Sequence, residues 1–261
     1  MSNSSTIVGN VYSNKPGTNS IEGYNSSRIE GEAFAHGMIS SPDPTVDCDD
    51  LPCKHENQPQ SEMPVKEEDL QDFYDEWKTK AEAGGPIADC SWSGTETDAI
   101  GPGKCLGNFT TSNSAQVTIK GPIYVTGNVS ISNSSKVILD NSFGSTGTVF
   151  ITDGTVTISN TGAFIPTNAN PKGYILVVTT STNNNAISIA NQGATAIFYA
   201  LDGGAVLSNE ADVIALVAKK LTMSNYATLT YDEGLADAQF SSGPGGSWQI
   251  KKGTYKFTNS P

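Results

Sequence analysis

The chain has 261 residues, enough for one large domain or two small ones. Its 26 glycines and its many Ser, Thr and Asn residues suit short strands joined by tight turns and argue against a helical bundle. A net charge of −12 lacks the basic footprint of a nucleic-acid or anionic-membrane binder, and no apolar run approaches the roughly 18 residues a membrane span needs.

Met1-Ser-Asn-Ser-Ser-Thr6 has neither the basic nor the apolar region of a signal peptide. That leaves a cytosolic protein or an ectodomain whose export signal lies upstream. Residues 1–40 read as N-terminal coils of a repeat array. Ile7-Val-Gly-Asn-Val-Tyr-Ser13 returns as Ile29-Glu-Gly-Glu-Ala-Phe-Ala35, and again as Ile119-Lys-Gly-Pro-Ile-Tyr-Val125. Each places a glycine where the chain turns, between apolar residues that alternate as in a half-buried strand. One motif on both sides of residues 40–100 implies a single interrupted array, a single domain over 1–261.

Residues 41–104 read as the interruption. Pro42, Pro44, Pro52, Pro59 and Pro64 exclude regular structure around an acidic loop between Cys48 and Cys53. A helix is predicted over 65–83. Leu70, Phe73, Tyr74, Trp77 and Ala81 form one apolar stripe, Glu67, Glu68 and Asp69 occupy the first turn, and Lys78 and Lys80 the last. Gly84-Gly85 ends it. The stripe calls for a partner, and an apolar flank of the repeat array is the expected one.

Four cysteines, Cys48, Cys53, Cys90 and Cys105, allow three disulfide connectivities. Local pairing, 48 with 53 and 90 with 105, is favoured by spacing. The rival is a metal site of Cys48, Cys53 and His55 among Asp47, Asp49 and Asp50, although zinc ligands more often come as two tighter knuckles. Disulfides imply an oxidising compartment, hence export.

From 105 to 232 a stronger repeat sets the main coils. Phe109-Thr-Thr-Ser-Asn113 recurs as Val129-Ser-Ile-Ser-Asn133, Val156-Thr-Ile-Ser-Asn160, Ile187-Ser-Ile-Ala-Asn191, Ala205-Val-Leu-Ser-Asn209 and Leu221-Thr-Met-Ser-Asn225. A small residue follows two positions after each Asn, then another alternating segment. Three short strands per coil with period-two alternation predict an all-β fold, a right-handed parallel β-helix (β-solenoid) with one amphipathic α-helix packed along its side. Positions one and three of the pentapeptide point inward. Asn113, Asn133, Asn160, Asn191, Asn209 and Asn225 tolerate left-handed backbone angles, and their amides are expected to form an internal ladder from coil to coil. Position two points outward as Thr110, Ser130, Thr157, Ser188, Val206 and Thr222, and position four as Ser112, Ser132, Ser159, Ala190, Ser208 and Ser224, giving a flat hydroxyl-rich face. Residues 233–261 read as a C-terminal cap. Phe240 and Trp248 flank a glycine-rich turn that would bring an aromatic over the open end, and Tyr255-Lys-Phe257 would finish it.

Catalytic chemistry is hard to find. Asp153-Gly154 and Asp202-Gly203 occupy equivalent turns two coils apart, about 10 Å if stacked, near the wide limit for inverting glycosidase carboxylates. Asp-Gly is also ordinary turn chemistry. His36 and His55 have no Ser or Cys partner at readable spacing. The reading is non-enzymatic, with no cofactor, and the outward Ser/Thr row is the one surface with functional promise, although these residues also simply suit exposed strands.

The repeats, Asp75-Glu-Trp-Lys78 and the closing run Ala238-Gln-Phe-Ser-Ser-Gly-Pro-Gly-Gly-Ser-Trp248 resemble the exported β-solenoid domain of pilin-anchored, type IV pilus-associated bacterial surface proteins. The resemblance covers nearly the whole chain. It implies an extracellular, cell-surface structural or adhesive module whose partners are glycans, cell surfaces or pilus components, and it carries no catalytic residues. The N-terminal hydrophobic segment typical of that family is absent from this sequence. The interrupted array, single helix and Pro102-Gly103 are also similar to ice-binding β-solenoids, and the Ile-x-Gly motifs to bactofilins.

Overall fold

The computed structural model describes residues 1–40, 46–47, 53–60, 67–191, 194–230, 239–243 and 246–249. Among them the fold is all-β and dominated by parallel pairing, with a single α-helix, Glu67–Glu82. The cause is the alternation. Each three- or four-residue segment has two apolar side chains on one face, too few to be stable alone, so equivalent segments of successive repeats pair and bury them together.

Three ladders result. One joins Ser91–Trp92, Phe109–Thr111, Val129–Ile131, Val156–Ile158 and Ile187–Ala190, then runs through Ala194–Ser208 and Asp212–Met223. A second joins Thr97–Ile100, Gln116–Ile119, Lys136–Leu139 and Ala163–Ile165. A third joins Gly103–Cys105, Ile123–Val125, Thr146–Thr152 and Ile175–Thr179, again meeting the two long strands. Val129, Ile131, Val156, Ile158, Val117, Ile119, Val137 and Leu139 are fully buried between the ladders. An aromatic series runs through this core, from Trp92 to Phe109, Phe150, Phe164 and Phe198, with ring centroids 5.2, 5.0, 5.6 and 6.3 Å apart in tilted and edge-on contacts.

Stacking order departs from chain order. Thr6–Val8 pairs on one side with Thr228–Thr230 and on the other with Arg28–Glu30, which in turn pairs with Val46–Asp47. The N-terminal strands therefore extend the array beyond residue 230, at the end opposite Ser91. The residues between His55 and Ser91 must bring the chain back along the array, and the helix covers about 24 Å of that return at 1.5 Å per residue. Part of the stretch read as an interruption already belongs to the array, since Ser91–Trp92 and Thr97–Ile100 pair in register with the next repeat.

The helix runs along the outward face of the third ladder. Tyr74, Trp77 and Ala81 pack with Tyr124, Val149, Ile151, Leu176, Val178 and Ile197 in a second apolar cluster, and Phe73 lies at its edge. The predicted stripe is thus the docking face; the side chain of Leu70 and residues 65–66 lie outside the described part. Cys90 and Cys105 form a disulfide beside the first repeat. Cys53 is also disulfide-bonded, and Cys48, its expected partner, is outside the described residues. The segment Gln239–Gly243 does not sit over an open end. It pairs with Thr146-Gly147 and lies beside the helix; the Tyr255–Phe257 part of the expected cap is not described.

Trp77 is the largest side chain the helix buries, at 7 % exposure. Trp77→Ala is expected to cost about 3–5 kcal/mol, read as a lowered unfolding midpoint in urea. Phe73→Ala, at the cluster edge, should cost less.

Candidate functional site

The first ladder presents its outward residues in unbroken register. Ser91, Thr110, Ser130, Thr157, Ser188, Val206 and Thr222 lie side by side in one row. Two residues along, Ser112, Ser132, Ser159, Ala190, Ser208 and Ser224 form a second row. Neighbours within a row are about 4.8 Å apart and the rows about 6.6 Å apart by strand geometry. Neither row contains an ionisable residue. Thr157 and Thr222 are exposed and Thr110, Ser130 and Ser188 half-buried. Among the described residues the hydroxyls of Ser130, Thr157 and Ser188 make no hydrogen bond, whereas Ser112 Oγ donates to Ser93 Oγ at 3.3 Å. Val206 interrupts the first row and Ala190 the second.

The face ends at a corner built by asparagine. Asn113, Asn133, Asn160, Asn191, Asn209 and Asn225 all have φ between 49° and 58°, and the residue after five of them is also at positive φ. Asn tolerates this region because its short amide bonds locally. Asn133 Nδ2 donates to Asn113 Oδ1 at 3.2 Å, Asn160 to Asn133 at 3.1 Å, Asn191 to Asn160 at 2.9 Å and Asn225 to Asn209 at 3.0 Å. The expectation of an internal ladder needs correcting, because these asparagines are exposed. The left-handed pair throws the amide outward, and it is the small residue two positions on (Ala115, Ser135, Ala211, Ala227) that enters the core.

Sequence reasoning missed two members. Asn3 Nδ2 donates to Asn225 Oδ1 at 2.8 Å and Asn25 Nδ2 to Asn3 Oδ1 at 3.0 Å, carrying the ladder onto the N-terminal strands. The signal was present, since Asn3-Ser-Ser5 and Asn25-Ser-Ser27 repeat Asn133-Ser-Ser135 letter for letter, with Ser5, Ser27 and Ser135 all buried.

The two carboxylates weighed for catalysis lie two strands apart and one position out of register. Asp153 is committed to holding the helix. It accepts from Lys78 Nζ at 2.6 Å, from Tyr124 OH at 2.5 Å and from Thr180 Oγ1 at 3.1 Å. Partial burial pushes its carboxyl up, but the hydrogen bonds from Lys78, Tyr124 and Thr180 and the lysine charge outweigh this and hold it below the usual carboxylate range. Burial, then the bond to Asp153, raises the Tyr124 phenol. Burial and the Asp202 charge raise Tyr74 to about 12. Ile151, Val178 and Tyr199 are register partners, so two residues further on Asp153 meets Leu201, and Asp202 falls one position out of step. Lys104 Nζ bonds Glu82 at 2.6 Å and lies 4.9 Å from the Tyr124 ring centroid, closing a charged rim over the apolar contact.

His36 Nδ1 bonds the Gln58 carbonyl oxygen at 2.7 Å, and His55 stacks on Phe34 at 4.4 Å. The disulfide at Cys53 removes that sulfur as a thiolate ligand for the metal site weighed around His55; Asp49 and Asp50 lie outside the described residues.

Comparison with known proteins finds no matching family model, no matching curated relative and no matching solved structure.

A carboxyl held below its usual range stabilises the fold above the ordinary value of about 4 and loses that contribution as pH falls through the lower folded value. Asp153→Asn should therefore unfold at a lower temperature than wild type at pH 7. The gap should narrow as pH is lowered below 4, as followed by thermal melts monitored at the helix.

Proposed function

We propose that this chain is an exported, non-catalytic right-handed β-solenoid of three strands per coil, acting as a structural or adhesive module through its flat Ser/Thr face. Handedness follows the general preference of parallel crossover connections. One observation carries the reading: the outward hydroxyls of the first ladder stand in two uncharged, in-register rows on a protein of net charge −12. The outward face of the third ladder is spent on the helix, and of the two ladders left open the first is the one whose outward rows carry no charge, the second bearing Lys136.

A rigid array of hydroxyls spaced by the strand repeat suits an ordered, hydrated surface. Each hydroxyl donates and accepts, and no charge has to be desolvated on contact. The Cys90–Cys105 disulfide supports an oxidising location, and no helix among the described residues is long and apolar enough to cross a membrane. Adhesion to a glycan or cell surface is the leading reading. Ice is the second, favoured by the regular two-dimensional spacing of the rows.

Thr157→Tyr places a bulky ring in the middle of the face at an exposed position, where the fold should tolerate it. Adsorption to cell-wall and polysaccharide surfaces should be lost while the melting temperature stays within a few degrees of wild type. Thermal hysteresis of the wild type, abolished by the same change, would assign the surface as ice. A protein that adsorbs to no surface and shows no hysteresis would refute the reading.

A further inference from the structure

The repeat breaks its own rule twice at the place where the N-terminal strands join the array. The corner position after each asparagine is small or polar elsewhere: Ser4, Ser26, Ser114, Ser134, Thr161 and Glu210. After Asn225 it is Tyr226, at φ 62° and 66 % exposed. A bulky side chain in the left-handed region costs about 1–2 kcal/mol, and burial returns none of it here. The outward position before each asparagine is Ser or Ala in every repeat from Ser112 to Ser224 and in Ser2. Before Asn25 it is Tyr24, 41 % exposed. An uncompensated strained aromatic is a reason to look for a ligand.

The two tyrosines are neighbours in space across the ladder. Tyr226 N–H donates to the Asn3 carbonyl, Ser4 N–H to the Asn25 carbonyl, and Tyr24 N–H to the Met1 carbonyl. The strand of Ser2, Asn3 and Ser4 thus lies directly between the strands of Tyr226 and Tyr24, which are two steps or about 10 Å apart along the array. Ser2, Asn3 and Ser4 form a small polar strip, a trough between two aromatic positions set diagonally across it, Tyr24 in register with Ser2 and Tyr226 in register with Ser4. The amides of Asn225, Asn3 and Asn25 line it. The ladder uses one N–H of each donor amide, so every amide keeps a donor to offer outward.

We propose that this trough binds a neutral, linear oligosaccharide. Aromatic rings offer faces for the C–H surface of a sugar ring, and amides and hydroxyls match its equatorial hydroxyls. The separation of the two strands is comparable to a disaccharide unit, and the two-residue offset of Tyr24 from Tyr226 sets a chain of sugars obliquely across the strands. The strip between the tyrosines is uncharged and its surroundings carry both signs, with Glu210 on the strand next to Tyr226 and the Met1 ammonium, beside Tyr24, bonding the Glu22 carbonyl at 2.9 Å, so a neutral glycan fits better than a charged one. The proposal rests on the reading of the first ladder as a contact surface, to which it adds a ligand class and a position.

The test is calorimetric titration of the whole chain with cello-, xylo-, manno- and N-acetylchitohexaose, using wild type, Tyr24→Ala, Tyr226→Gly and Thr157→Tyr. At least one neutral hexasaccharide should bind saturably, and each tyrosine change should weaken it at least about tenfold. Tyr226→Gly removes the backbone strain, so its melting temperature should equal or exceed wild type while binding falls. A purely structural role for Tyr226 cannot produce that combination. Thr157→Tyr, three strands away, should bind the hexasaccharide as wild type does even where it has lost surface adsorption, so failure of the wider reading is told apart from failure of this one. No binding to any neutral hexasaccharide, or binding indifferent to both tyrosine changes, overturns the proposal.

Discussion

The architecture depends on a backbone conformation that most residues avoid. At the corner of the first ladder the chain takes two successive residues through the left-handed region, at a cost of roughly 1 kcal/mol or more for each side chain placed there. Asparagine reduces that cost locally, and its amide then bonds the asparagine of the adjacent strand. The tight corner is what lets the next small residue enter the core and the following strand start in register. Ser135, Ala115 and Ala211 are buried because a larger side chain there would meet the neighbouring strand. Because the same corner recurs at every step, the strands cannot slip, and the outward rows inherit the regularity of the inward ones.

The helix answers a second constraint. An array whose N-terminal strands sit beyond residue 230 has to send the chain back along its length. The return path is paid for by covering the third ladder, whose outward residues (Val149, Ile151, Val178, Ile197) would otherwise be an exposed apolar patch. Lys78, Asp153, Tyr124, Lys104 and Glu82 fix the helix in position at the rim of that contact. This division leaves the third ladder closed and the first and second open, and of the open two the first has no ionisable residue in its outward rows, whereas the second carries Lys136.

Much of this was legible in the residues, because the informative patterns are local. Alternation marked the short strands, the Asn-x-small spacing marked the corners, and the 3.6-residue stripe with its terminal charges marked the helix. What escaped was long-range. Nothing in Ile7-Val-Gly states that its neighbour is Leu229, since any strand of the same pattern could accept it; the pairing is decided by which edge remains open once residues 91–230 have stacked. The bonding of Asn to Asn is legible in the repeat, whereas the outward turn of the amide is set by the left-handed geometry of the corner. The recurring Asp-Gly reads as turn chemistry, with an acid pair as the alternative, and the bond of Asp153 to Lys78 depends on helix docking that no local pattern reports. Tyr24 and Tyr226 were readable as exceptions to the repeat only once Asn3 and Asn25 were known to be members of it.

The stacking order is the premise on which the extended face and the trough both stand, and it can be measured directly. Ser26 and Ser114 occupy the same corner position on strands seven steps apart in this order, about 34 Å at 4.8 Å per step. Spin labels at Ser26→Cys and Ser114→Cys, with the native disulfides intact, should give a dipolar distance distribution centred near that value, broadened by the label arms. A distribution below about 15 Å, which places the strands within three steps of each other, would mean that the N-terminal strands sit next to residues 91–119 and would contradict the account.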